Sequence, residues 1–153
     1  MDITFCEMRI DDYDEAASLW RATEGIGWHD DVDSPRGIAA YLARNPGFSH
    51  VARHAGRIIG AVLCGHDGRR GYLHHLAVAS AWRGNGVGRG LVAACLVKLA
   101  SAGIPKCNIF LYADNYQGAA FWNRTGWNER TDLKLLQRLC PASDCNDRLM
   151  PRQ

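Results

Sequence analysis

The sequence predicts a mixed α/β layer domain, and three observations carry that expectation. Two short helical patterns precede three strand-like runs separated by tight-turn pairs. A longer helical pattern then opens at a glycine-rich loop. The resulting order, β-α-α-β-β-β-α-β-α-β, places an antiparallel meander ahead of crossover helices, so the sheet is expected to be mixed. The 153 residues suit one domain of ~100–200 residues. That domain is expected over residues 1–140, followed by a polar tail over 141–153.

Each element follows from local chemistry. Ile3 to Ile10 reads as the first strand. Asp11 and Asp12 are N-cap candidates for a helix whose face is Ala16, Leu19, Trp20 and Thr23, ended by Gly25 and Gly27. Residues 25–33, with Trp28 and His29, read as a loop. Ser34-Pro35 supplies an N-cap and a first-turn proline for a helix reaching Arg44, and Asn45-Pro46-Gly47 breaks it. The runs 48–54 and 57–65 flank Ala55-Gly56 as a hairpin, and Asp67-Gly68 turns into a third run, 72–79. Leu91, Val92, Cys95, Leu96 and Leu99 recur at helical spacing within 86–102, closed by Gly103 and Pro105. Residues 107–112 read as a buried strand, 115–124 as a short helix stopped by Gly126, and 127–139 as a last strand or strand pair.

Composition narrows the class. With 47% hydrophobic and 22% charged residues the chain is neither disordered nor fibrous. The net charge of +2 hides an asymmetry. Residues 1–50 carry ten acids against four arginines, and the rest carries fourteen bases against six acids. One part therefore suits a cation and the other an anion. The bases are dispersed among acids with no basic helix face, so nucleic acid is not expected as a partner. No apolar run approaches the ~18–20 residues that span a bilayer, and no basic segment followed by an apolar stretch opens the chain. No membrane association is expected. The six cysteines, Cys6, Cys64, Cys95, Cys107, Cys140 and Cys145, form no CxxC pair, so they are read as reduced thiols of a cytoplasmic protein without a metal site. Cys140 and Cys145 flank the polar tail.

The most specific local feature is Arg83-Gly84-Asn85-Gly86-Val87-Gly88-Arg89, which follows a strand and opens a helix. Its glycines allow close approach of the backbone to a ligand, and the free amides of a first helical turn point at an anion. A pyrophosphate suits such a cradle, with Arg83 and Arg89 able to add charge-assisted bonds. The GxxxxGK[ST] pattern is absent, and the third glycine of a GxGxxG fingerprint falls one residue off.

The loop resembles the [QR]xxGx[GA] signature of the GCN5-related N-acetyltransferases, the GNAT family. Leu76-Ala77-Val78 before it, Asn115 after the next strand, and Gly118-Ala119-Ala120-Phe121-Trp122 followed by Gly126-Trp127 fall in the family's order, so the resemblance runs over residues 2–138. It implies the acyl-CoA N-acyltransferase (GNAT) fold, whose mixed sheet splays open between its fourth and fifth strands, with acetyl-CoA in the split. It further implies that Leu76, Ala77 and Val78 pair with the pantetheine arm. Gly84, Asn85, Gly86, Val87 and Gly88 cradle the pyrophosphate with Arg83 and Arg89. Asn115 bonds the pantetheine region, and Phe121 and Trp122 lie by the cofactor thiol.

The family commonly has Tyr at the position of Trp122, where the hydroxyl protonates the departing thiolate. An indole N–H is a donor and a very poor acid. Trp122 is therefore left to orient the thiol, with Tyr116 or water as other proton sources. For the base, strict alternation along Tyr72-Leu73-His74-His75-Leu76-Ala77-Val78 puts Tyr72, His74 and Leu76 on one face, so one histidine alone is expected to face the cleft. Arylalkylamine acetyltransferases place histidine two residues before the Leu-Ala-Val position, which favours His74 over His75; Glu24 and His29 are weaker candidates. The acceptor wall in this family usually comes from the N-terminal helices and their loop, here Trp20, Trp28, His29 and Asp30, with Tyr72 and His74 from the strand. The expectation is transfer of an acetyl group from acetyl-CoA to a primary amine (a small amine, an amino acid derivative or a peptide amine) by direct attack. A homodimer is the partner state left open. The other reading is a module that binds acetyl-CoA without catalysis.

Overall fold

The computed structural model describes residues 2–142. Five strands form one sheet in the order β1 (Thr4–Glu7), β2 (His50–His54), β3 (Arg57–His66), β4 (Gly71–Val78) and β5 (Cys107–Ile109). The first three junctions are antiparallel, and β4 runs parallel to β5. The sheet is therefore mixed, as the element order predicted. At the β2–β3 turn Ala55 and Gly56 both take positive φ, +49° and +76°, as a two-residue hairpin matched to strand twist requires.

Helices cover both faces. α1 (Tyr13–Arg21) follows a 3₁₀ turn at Ile10–Asp12, and α3 (Pro35–Arg44) opens on Ser34, whose hydroxyl accepts from the Gly37 amide. These two bury Tyr13, Ala16, Ala17, Trp20 and Ile38 against Val51, Ala61, Leu63 and Ala77 of the sheet. α4 (Val87–Ser101) buries Val87, Leu91, Val92, Cys95 and Leu99 on the opposite face, against Ala52, Ile59, Val62, Cys64 and Leu73. Leu96, expected on that stripe, is exposed. α5 (Tyr116–Arg124) lies beyond β5, with Asn115 as its N-cap. No helix among the described residues is long and apolar enough to cross a membrane.

Three expectations are corrected. Residues 30–33, read as part of a loop, form the one-turn helix α2 (Asp30–Asp33), because Asp33 turns back to accept from the His29 amide at 2.9 Å. The fifth strand stops at Ile109 instead of Tyr112, and Phe110, Leu111 and Tyr112 are exposed. Residues 127–139 form no strand: from 128 on the segment pairs with no strand among the described residues, and its leucines stay exposed. Of the two tail cysteines, Cys140 is exposed and Cys145 lies outside the described residues.

Candidate active site

β4 and β5 pair only over Gly71–Leu73 and Cys107–Ile109, and beyond that point the strands part. No strand lies against that edge of β4 from His74 to Val78 among the described residues. The split leads directly to the glycine loop. Gly84 and Gly86 adopt φ of +78° and +80°, and a Cβ at either position would meet nothing within 4 Å. Gly86 is the N-cap of α4, and the first backbone bond of that helix runs from the Gly90 amide to the Gly86 carbonyl at 3.0 Å. The amides of Val87, Gly88 and Arg89 therefore lie within the turn that has no helical acceptor. Open space, positive φ and a helix N-terminus fit an anionic phosphate group at this place. Arg83 and Arg89 are exposed beside it; Arg83 Nε donates to the Val78 carbonyl at 3.2 Å, and the Asn85 amide donates to the carbonyls of Trp82 and Arg83.

Aromatic rings close one side of the cradle. The Phe121 ring approaches Gly88 so closely that a Cβ there would lie 3.2 Å from it. Phe121, Trp122 and Trp127 meet edge to face, with centroids 5.1 and 4.9 Å apart, and the two tryptophans pack on the α4-side core. Trp122 thus brings an apolar wall, and its indole offers no acid. The Asn115 side-chain oxygen accepts from the Gly118 amide at 2.9 Å, so it is committed to the α5 cap and only the Nδ2 donors stay available.

The histidines depart from simple alternation. A β-bulge interrupts the β3–β4 ladder: Ala61 pairs with Ala77 and Leu63 with His74, so two residues of β4 stand opposite Val62. His75 occupies the bulge with φ of +56°, an uncommon value for a residue other than glycine. The extra residue resets the side-chain register. Leu73, Leu76 and Val78 pack on the α4 side, whereas His74 meets Tyr41 of α3 and His75 meets Trp20 of α1. Both histidines therefore face the α1–α3 layer, and Leu76 leaves the face that alternation assigned it.

The two rings have different surroundings. His74 is half-buried among Tyr41, Tyr72 and Phe110, with ring centroids 6.1 to 6.5 Å away. Burial lowers its pKa below the ordinary histidine value, and a charged His75 beside it lowers it further, against the opposing pull of Asp33. His74 is thus held neutral near pH 7. His75 Nε2 bonds Asp33 Oδ1 at 2.7 Å, and Asp33 is 3% exposed. The same carboxylate holds the His29 amide through Oδ2, while its backbone carbonyl accepts from Tyr13 Oη at 2.7 Å. Asp33 ties α1, α2 and the bulge together. It was part of the acidic run in the sequence, but nothing there singled it out from Asp30 and Asp31; the one usable signal was its spacing of four from His29.

The expected acceptor wall is only partly assembled. Trp20 is fully buried, so its ring serves the core and is not open to a ligand. Its indole N–H has no partner among the described residues. Trp28 is half-buried, its indole N–H donates to Asp30 at 2.9 Å, and the Arg21 guanidinium sits 4.1 Å from its ring centroid. A side chain of this protein already fills the cation–π position. His29 and Asp30 are exposed, and Tyr72 stacks on Phe110 at 6.0 Å. The loop that carries Trp28 also reaches across to the segment after β5. A Cβ at Gly27 would collide with the Tyr112 hydroxyl, and one at Gly25 would lie 2.7 Å from Asn115 Nδ2. These glycines let the loop lie on residues 112–115, which sequence reasoning did not foresee because the contact is nonlocal.

Comparison with known proteins agrees with this geometry. The family model described as "Acetyltransferase (GNAT) family" matches residues 13–127. An acetyltransferase of Yersinia pestis (strain Pestoides F) is 31% identical over 138 residues, covering 87% of this chain and 95% of that protein. The PaiA N-acetyltransferase of Thermoplasma acidophilum in complex with coenzyme A superposes with a TM-score of 0.74 at 16% identity, over 82% of this chain and 89% of that one. The protein AAC(6')-Iy, in complex with the bisubstrate analogue CoA-S-monomethyl-acetylneamine, superposes with a TM-score of 0.73 at 17% identity, over 92% of this chain and 100% of that one.

Proposed function

The chain belongs to the GNAT acetyltransferase family and is an acetyl-CoA-dependent acetyltransferase, and from that premise we propose that it acetylates a primary amine by direct attack, with His74 as the base. The position of His74 carries this reading, because β4 presents it to the α1–α3 layer, against Tyr41, beside the unpaired edge of the split. Acetyl-CoA supplies an activated acetyl thioester. The amides at the start of α4, with Arg83 and Arg89, hold its pyrophosphate. The open edge of Leu76, Ala77 and Val78 receives the pantetheine arm, and the Nδ2 donors of Asn115 face the same arm. Phe121 and Trp122 line the thiol end, where the bond from the acetyl carbon to sulfur breaks after the nitrogen adds, and CoA leaves as a thiolate that takes its proton from water or Tyr116. His74 takes the proton from the attacking nitrogen at its unprotonated ring nitrogen, for which a lowered pKa is suited near neutral pH. The His75–Asp33 bond keeps the bulge in its left-handed conformation, and so fixes the direction of the neighbouring His74 side chain. Trp28, His29, Asp30 and Tyr72 border the acceptor.

The reading takes residues 1–140 as the working domain and the cytoplasm as its place, supported by the five described cysteines, all free thiols. The test is CoA release from acetyl-CoA across a panel of small amines, amino acid amides and peptides, with hydroxyl and thiol acceptors alongside. Turnover with amines that falls sharply in His74→Ala supports the reading. Acetylation confined to hydroxyls or thiols, or amine turnover unaffected by the substitution, overturns it.

A further inference from the structure

The end of α1 carries a cation that the reaction, as derived above, does not use. Arg21 lies in the last turn of that helix, is exposed, and holds its guanidinium 4.1 Å from the centroid of the Trp28 ring. A guanidinium held over a ring keeps its N–H donors at its own edge, where they can bond. Among the described residues those donors make no hydrogen bond, and Arg21 enters no ion pair. The acid two residues after Trp28 has a different partner: Asp30 accepts the Trp28 indole N–H at 2.9 Å.

A short chain of contacts ties this cation to the neighbourhood of the base. His29, next to Trp28, gives its amide to Asp33 Oδ2 at 2.9 Å, and Asp33 Oδ1 bonds His75 Nε2 at 2.7 Å, beside His74 in β4. Tyr13, at the start of α1, donates its hydroxyl to the Asp33 carbonyl at 2.7 Å, so the helix that ends in Arg21 is held to the same residue. On its other side the loop rests on the segment after β5, where a Cβ at Gly27 would collide with the Tyr112 hydroxyl. The loop therefore reaches from β4 to the segment after β5, across the split, and carries the Trp28–Arg21 pair with it.

We propose that Arg21 binds a carboxylate of the acceptor, so that the favoured substrate is an amino acid: a primary amine that also carries a carboxylate. This rests on the reading that the acceptor is a primary amine with His74 as its base. The reacting nitrogen lies at His74, and the two carboxylate oxygens accept from two guanidinium N–H groups, a bidentate geometry that arginine offers and lysine does not. Residue types alone suggested the opposite charge, because Trp28 and Asp30 can receive an ammonium. The structure fills that position with Arg21, and the wall then presents a cation outward. No ion pair among the described residues has to break for a carboxylate to bind there. Asp30 and Asp31 are exposed on the same loop; solvent and salt screen their repulsion of a carboxylate, whereas the Arg21 contact is direct.

Matched acceptors test it: amino acids and their carboxamides, with the distance from amine to carboxyl lengthened from glycine through β-alanine to γ-aminobutyrate. Acetylation by the full chain is followed as CoA release. The readout is the ratio of kcat/KM for the acid to that for its amide, compared between the wild type and Arg21→Gln. The differing basicity of the two amines cancels in that comparison, as does any loss of stability. At the favoured length the ratio should fall about tenfold or more in Arg21→Gln, the scale of a charge-assisted pair, and the fall should lie in KM. Arg21→Lys should retain part of the ratio, and Arg21→Glu should lower it below that of Arg21→Gln. A ratio that Arg21→Gln leaves unmoved at every length, with the amides turned over, overturns the proposal and leaves the amine reading standing. No turnover of any amine overturns the amine reading, and this proposal with it.

Discussion

The two layers flanking the sheet solve different problems. On the α4 side the contact from Val87 to Leu99 is mainly apolar, with Cys95 donating to the Phe48 carbonyl, and in the proposed reading the backbone at the start of the helix holds the cofactor. On the α1–α3 side the core is interrupted by polar groups. Asp33 is buried beneath His75, and Asp12, itself buried, pairs with Arg53. Buried charge is costly unless paired, so each such group fixes its neighbours more narrowly than an apolar contact does. The cofactor side therefore depends on packing and glycine geometry, and the acceptor side on a few side-chain bonds. Substitutions should separate the two accordingly.

The largest expected effect is on stability, in the apolar layer. Leu91 is fully buried, and Leu91→Ala should cost about 2–5 kcal/mol, read from urea unfolding, while the Michaelis constants of the remaining folded enzyme change little. A smaller loss would show that α4 relaxes into the cavity. On the acceptor side His74→Ala should lower kcat by about 100-fold, the scale of a lost general base. Burial and the charge of His75 hold the pKa of His74 down, so the wild-type rate should rise with pH through a limb below the ordinary histidine value of 6.5. The variant should lack that limb. Its deficit should be greatest between the limb and the amine's own pKa, since His74 is protonated below that window and the free amine needs no help above it. A wild-type profile without the limb would break the assignment.

Asp33→Ala leaves the His75 ring and the His29 amide without their acceptor, and an unsatisfied buried group costs about 1–3 kcal/mol. Unfolding by urea should register that loss, and kcat should fall with it because the bulge is no longer held; a stability loss with unchanged kcat would reduce Asp33 to a scaffold role. Gly86→Val forces a branched side chain into φ of +80°, at a cost of about 1–2 kcal/mol. The KM for acetyl-CoA should rise about tenfold, the ratio that 1.4 kcal/mol buys, with the acceptor KM unmoved. The smallest effect belongs to Asp30→Asn. The exposed carboxylate should change the acceptor KM only a few-fold, since exposed ion pairs contribute about 0–1 kcal/mol, and adding salt should reduce even that difference.

The parts that were legible in the sequence are those governed by neighbours along the chain. The Ser34-Pro35 cap, the Ala55-Gly56 hairpin and the glycine loop into α4 appear as expected, since each depends on dihedral preference and on amides a few residues apart. The histidine pair was not legible in the same way. Alternation is a rule for an uninterrupted strand, and the bulge that overturns it depends on how Val62 is opposed from across the sheet. Trp20, read as an acceptor aromatic, is core because α1 packs its face onto the sheet. The last strand failed for a related reason. Its leucines carry strand periodicity, but among the described residues they pair with no neighbouring strand.

The sequence by itself determined the element order through α5 except for the one-turn α2, and the glycine loop that opens α4, and its family resemblance identified the acetyl-CoA chemistry, because caps, turns and a helix N-terminus are local consequences of residue type. The tertiary structure alone decided that His74 and His75 share one face, that Asp33 is the acid among its neighbours that binds one of them, and that Arg21 already covers Trp28. The His75–Asp33 contact alone joins residues 42 positions apart. Strand register and helix packing set such distances, and no spacing along the chain encodes them.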